Sequence, residues 1–111
     1  MDAALGGAVI FSQKLMEGKQ NMFEDVDSIT IDPHKGLVVP LQLSLFLVNK
    51  REILFQANSA HADYLFHKER ASYSGDLDIG DKSFQCGRVI DILKFWTYLK
   101  GNGLKGIAQQ V

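Results

Sequence analysis

From Leu41 to Val48 the chain runs almost wholly apolar, with only Gln42 and Ser44 interrupting the aliphatic and aromatic side chains. A stretch of that length, closed by the turn-forming pair Asn49-Lys50, predicts a β-strand buried on both faces, as in a sheet covered by helices. A shorter, alternating strand is predicted over Ser28 to Asp32, ended by Pro33. Helical patterns alternate with these strands. Ser12 to Gly18 has an N-cap in Ser12 and a stop in Gly18, and Arg51 to Gln56 forms a short helix. The clearest helix covers Val89 to Lys100, where Val89, Ile92, Leu93, Trp96 and Leu99 recur at helical spacing. Asp91 in its first turn and Lys100 in its last suit the helix dipole, and Gly101 takes the position just past its end. Leu104 to Val111 begins another helix. The order of elements is that of an α/β protein.

The 111 residues suffice for one small domain and not two. Two or three strands are fewer than a complete βαβ-type domain requires. The chain therefore reads as a piece of a larger domain, cut at both ends: Asp2-Ala3-Ala4 looks like the end of an element, and the last helix stops short. So few helices cannot cover the apolar strand, and the chain alone is expected to be poorly soluble or loosely folded.

Composition narrows the function by exclusion. The net charge of -1, with signs interleaved, offers neither a basic face for nucleic acid nor a polybasic patch for membrane. The single Cys86 cannot close an internal disulfide, and scattered histidines give it no partners for a metal site. The N-terminus lacks a basic n-region, and the apolar run Ala8 to Phe11 is too short for a membrane span, which makes the cytoplasm the default compartment. Residues Ala57 to Asp81 mix charged, small and aromatic side chains without a steady period. A connection of that length inside a compact domain tends to be functional.

The residues that carry chemistry lie at the end of the first strand, in Ile31-Asp32-Pro33-His34-Lys35. A lysine fixed by a preceding proline is held in place, as Schiff-base chemistry needs, and desolvation can free its amine of the proton. A lone lysine there is more often structural. Its neighbours change that balance. Asp32-Pro33-His34-Lys35 is similar to the cofactor-lysine motif of the group II pyridoxal-phosphate-dependent amino-acid decarboxylases. Asp2-Ala3-Ala4-Leu5-Gly6-Gly7 resembles that family's Asp-Ala-Ala-Trp-Gly-Gly. The stretch from Asp78 to Arg88 resembles one shared by glutamate and cysteine-sulfinate decarboxylases. Val89 to Lys100 looks like their following helix, and Tyr64-Leu65-Phe66 like their Tyr-Leu-Phe loop. The likeness covers nearly the whole chain, in order.

The resemblance implies part of the large domain of the fold type I (aspartate aminotransferase-like) architecture. It also implies a carboxy-lyase that takes an amino acid, uses pyridoxal 5'-phosphate and works as a homodimer. Lys35 would form the internal aldimine with the cofactor. Asp2 would bond the pyridine nitrogen, its plain alternative being a frayed terminal acid. Ala4 would pack on the ring face, or be a core alanine. Asp32 and His34 would lie near the phosphate, His34 through its backbone N–H, although a satisfied structural histidine is the other reading. Tyr64 would protonate the α-carbon, or serve as an aromatic anchor. Gly87 would sit near the partner subunit's cofactor. Arg88 would orient phosphate or substrate, or pair with Asp91.

Asp32 stands where many members carry Asn, Leu5 where Trp is usual and Leu43 where Cys is usual. These departures leave glutamate, cysteine sulfinate, aspartate and an aromatic amino acid open as substrates, with an acidic one favoured. A truncated relic without catalysis, or an interaction fragment using the apolar helix face, is the competing reading.

Overall fold

The computed structural model describes residues 1–60, 80–85 and 87–111. Tyr64, Cys86 and most of the connection from Ala57 to Asp81 lie outside the described residues. The chain divides into two compact units, one of residues 1–49 and 90–111, the other of residues 50–89.

The first unit is built on a two-stranded antiparallel sheet of β1 (Ser28–Ile31) and β2 (Leu45–Val48), with Thr30 opposite Phe46 and Ile31 opposite Leu45. A third backbone segment joins β1 in parallel: Asp2 bridges to Thr30, Ala3 N–H donates to Thr30 O (2.9 Å), and Asp32 N–H donates to Ala4 O (3.1 Å). The chain then turns through a 3₁₀ helix, Gly6–Phe11, into the single turn α1 (Gln13–Met16). Ser12 caps α1 as expected, its Oγ accepting from Leu15 N–H (3.5 Å), and Gly18 leaves it at φ 73°.

Pro33 opens α2 (Pro33–Gly36), where its fixed φ and missing N–H cost nothing. Leu37 and Val39, just beyond, turn into the core with Ala8, Leu43 and Ile107. Burying a side chain such as Leu37 or Ile107, each essentially inaccessible, stabilises by roughly 1.5–3 kcal/mol. Two glycines allow the close packing. A Cβ on Gly36 would stand 2.6 Å from Ala8 Cβ, and one on Gly7 would stand 2.8 Å from both γ-carbons of Ile31.

The apolar run corrects the expectation drawn from it. Only Leu45–Val48 is strand, and Phe46 (54% exposed) and Leu47 (50%) are open to solvent. Its first half serves the core differently, through Leu43 alone. Among the described residues β2 pairs with one neighbour and no helix lies over its outer face, so hydrophobicity here marks surface that these residues leave uncovered.

The last helix of the first unit is α4 (Ile92–Gln110); α3 (Ile53–Asn58) belongs to the second unit. Of the expected apolar stripe in α4, Ile92, Leu93 and Trp96 are exposed, while Leu99 packs on the core together with Phe95 and Tyr98. Ile92, Leu93, Phe95, Trp96, Tyr98 and Leu99 make a broad apolar arc on this helix, wider than one packed stripe, so periodicity could not choose its buried side. Contacts choose it. Phe95 meets Phe11 edge to face (6.5 Å, 73°), and Lys94 Nζ donates to the carbonyls of Leu41 (2.9 Å) and Gln42 (3.3 Å). Lys94 also pairs with Asp91 at 2.7 Å, so Asp91's ion-pair partner is Lys94.

The break expected at Gly101 falls at Gly103, whose φ of 61° and ψ of 167° interrupt α4. Side chains bridge the interruption: Asn102 Nδ2 donates to Tyr98 O (2.9 Å), Gln110 Nε2 donates to Asn102 Oδ1 (3.2 Å), and Tyr98 Oη donates to Gln110 Oε1. Lys100 therefore lies mid-element, 5.8 Å from the Trp96 ring centre.

In the second unit, α3 starts later than the predicted Arg51 and packs against a 3₁₀ turn, Gly80–Lys82. Asp81 Oδ1 accepts from Ala60 N–H (3.3 Å).

Candidate active site

Side chains alternate across a strand, and register partners share a face. Asp2 on the first segment, Thr30 on β1 and Phe46 on β2 therefore share one face of the sheet, the alternation continues to Asp32 just past β1 and Ser44 just before β2, and Ile31, Leu43 and Leu45 lie on the other face. Of the residues singled out from the sequence, Asp2 and Ala4 lie on the segment hydrogen-bonded beside Thr30 and Asp32, and Lys35 pairs with Asp32. Asp2 is not frayed. Its backbone is bridged to Thr30, and its Oδ1 accepts from Ala4 N–H (3.0 Å). Ala4 is half-buried beside it.

Asp32 is the centre of the site. It is 8% exposed and occupies the N-cap position of α2, yet its carboxylate makes no cap bond. One oxygen, Oδ1, accepts from Ser44 Oγ at 2.6 Å; the other, Oδ2, lies 2.7 Å from Lys35 Nζ. The Lys35 hydrogen bond, then that of Ser44, holds the Asp32 carboxyl below the usual carboxylate range, against the opposing pull of desolvation. The Lys35 side chain keeps 44% of its surface accessible, so a ligand can reach the amine.

His34 is engaged through its ring. Nδ1 lies 2.6 Å from Leu43 O and 3.2 Å from Leu43 N. The shorter contact suits an Nδ1 that carries the proton and donates to the carbonyl. This is the structural role that the sequence left open for it. It also ties α2 to the segment before β2.

Gly87 lies in the second unit, exposed, with open space where a Cβ would stand. Tyr64 lies outside the described residues. Ser44 was not singled out from the sequence. The available signal was its place as the one hydroxyl in an apolar run, but linking it to Asp32 required the register. Among the described residues no cluster of three or more His, Cys, Asp or Glu could hold a metal, and no helix is long and apolar enough to cross a membrane.

A carboxylate, a small side chain and a reachable primary amine are groups that an electrophilic, cationic-ring cofactor can use, and comparison with known proteins defines the class of protein. The pyridoxal-dependent decarboxylase conserved domain matches residues 1–111, and the chain belongs to that family. Mouse cysteine sulfinic acid decarboxylase in its apo form superposes with a TM-score of 0.78 at 32% sequence identity, over 97% of this chain and 21% of that one. A second structure of the mouse protein gives 0.78 at 34% identity over the same shares. The chain thus spans about a fifth of the length of the structures it matches. It is a portion of the fold type I architecture, and the cofactor its family implies is pyridoxal phosphate.

Proposed function

We propose that these residues belong to the cofactor-binding large domain of a homodimeric pyridoxal-phosphate-dependent carboxy-lyase that acts on an acidic amino acid, glutamate or cysteine sulfinate, with Lys35 as the amine that holds the cofactor. The observation that carries this reading is the shared sheet face of Asp2, Ala4 and Asp32, with the Lys35 amine at its end. The mouse structures it resembles are of a cysteine sulfinic acid decarboxylase, which supports an acidic substrate.

The residues present fit the group in kind. Asp2 has one hydrogen bond, to Ala4 N–H, among the described residues, and is exposed, so its carboxylate can still pair with a protonated ring nitrogen. When bound, pyridoxal phosphate supplies an electron-poor ring that takes up the electron pair left as carbon dioxide departs. Asp2 would hold the ring nitrogen in its protonated form by charge pairing. Ala4 has no side chain beyond Cβ and permits close approach to the ring. Lys35 must leave Asp32 and give up its proton before its amine can react. Asp32 and the His34 backbone N–H would lie near the phosphate. Tyr64 returns a proton to the substrate's α-carbon, and Gly87 borders the site of the partner subunit.

Borohydride reduction of the complete protein with pyridoxal phosphate, followed by peptide mass mapping, tests the assignment. A pyridoxyl adduct concentrated on Lys35 and absent from Lys35→Ala is expected. Adducts spread over the surface lysines would overturn it. Carbon dioxide release from glutamate, cysteine sulfinate, aspartate and an aromatic amino acid then ranks the substrates.

A further inference from the structure

We propose that Ser44 is a positioning residue for Lys35, acting through Asp32. The inference rests on reading Lys35 as the cofactor lysine. It starts from how the Asp32 carboxylate is shared, with Ser44 Oγ on one oxygen (2.6 Å) and Lys35 Nζ on the other (2.7 Å). An aspartate at an N-cap ordinarily turns inward to accept from the helix's own amides. Asp32 does not, although it precedes Pro33 in that position. The Ser44 hydroxyl holds it on the sheet face instead, and the Lys35 amine is held there with it, on the face that carries Asp2 and Ala4.

Ser44 is placed independently of any ligand. Its neighbour Leu43 is buried in the core, and the Leu43 backbone is clasped by the His34 ring. Two bonds, His34 to Leu43 and Ser44 to Asp32, therefore staple the turn bearing Lys35 to the segment leading into β2. The acid and base groups at this point are Asp32, Lys35 and His34. Of these, Asp32 contacts the Ser44 hydroxyl. Loss of the hydroxyl frees the carboxylate to rotate toward the α2 amides and takes the amine's anchor away from the sheet face.

The test uses the complete protein freed of cofactor. Pyridoxal phosphate is added, borohydride stops the reaction at timed intervals, and mass mapping follows the adduct on Lys35, with the exposed Lys14 and Lys105 as internal references. Ser44→Ala is expected to slow labelling of Lys35 roughly tenfold, the scale of one hydrogen bond to a charged group, and to leave the reference lysines unchanged. Ser44→Thr, which keeps the hydroxyl, is expected to restore the rate. Ser44→Cys keeps the volume with a weak donor and carries the test should the alanine variant not fold. Labelling of Lys35 at the wild-type rate in the alanine and cysteine variants overturns the proposal, as does a threonine variant as slow as alanine, which would indicate packing alone. Absence of any Lys35 adduct in the wild type overturns the cofactor-lysine reading itself, a result distinct from normal labelling that ignores Ser44.

Discussion

Asp2 stands opposite Thr30 in parallel register, and this one bridge brings a carboxylate from the chain's first residues onto the sheet face that carries Asp32. An acid paired with a cationic ring nitrogen shifts its protonation by one to three pKa units. Asp2→Asn is therefore expected to lower kcat/KM roughly 10- to 10³-fold in the complete protein, each unit being tenfold. Its melting temperature should stay near wild type, because the bridge is made by backbone. Unchanged steady-state kinetics would remove Asp2 from the site.

Gly36 is expected to tolerate no side chain. Its added methyl would meet Ala8 Cβ at 2.6 Å and Leu5 O at 3.1 Å, and a carbonyl held in the backbone yields little. Gly36→Ala should cost about 1–3 kcal/mol, the usual scale of overpacking, read as a lower denaturant midpoint.

Val38 has φ 57° and is 79% exposed, a left-handed conformation that a β-branched residue adopts only under strain. Val38→Asn should stabilise by about 1 kcal/mol, since Asn accepts that region and little apolar burial is lost. Equal or lower stability in chemical denaturation would show that Val38 is not strained.

Acid should loosen the Lys35 turn through Asp32. Its carboxyl is lowered by the Lys35 and Ser44 hydrogen bonds, so the folded protein binds that proton less readily than the unfolded chain. The resulting stability is fully present above the unfolded value near 3.9 and is lost as pH falls through the lowered folded value. Asp32→Asn should flatten this part of the stability-versus-pH curve, and a difference curve between variant and wild type that stays level below pH ~4 would contradict it.

Phe46 and Leu47 on β2, with Ile92, Leu93 and Trp96 on α4, leave large apolar side chains open. The 111 residues expressed alone should bind a hydrophobic dye and melt without a sharp transition. A cooperative, concentration-independent melt of a monomer would refute this expectation.

Local signals were readable where a residue acts on its own backbone. Ser12 caps α1, Gly18 leaves it at positive φ, and Pro33 opens α2, each by the stereochemistry of that residue. Motif order made Asp2, Ala4, Asp32, His34 and Lys35 legible as a group before any coordinate was known. What failed was the choice among equivalent local options. Gly101 and Gly103 can each end a helix, and the bonds of Asn102 to Tyr98 and Gln110 accompany the break at the second.

By itself the sequence determined the family and the α/β order, because these depend on residue type and spacing along the chain. Tertiary structure alone decided which side of α4 is buried, which half of the apolar run is strand, and that Ser44 shares Asp32 with Lys35. Those outcomes depend on which surfaces meet. Antiparallel register brings together residues 12 positions apart, a relation that no periodicity along the chain encodes.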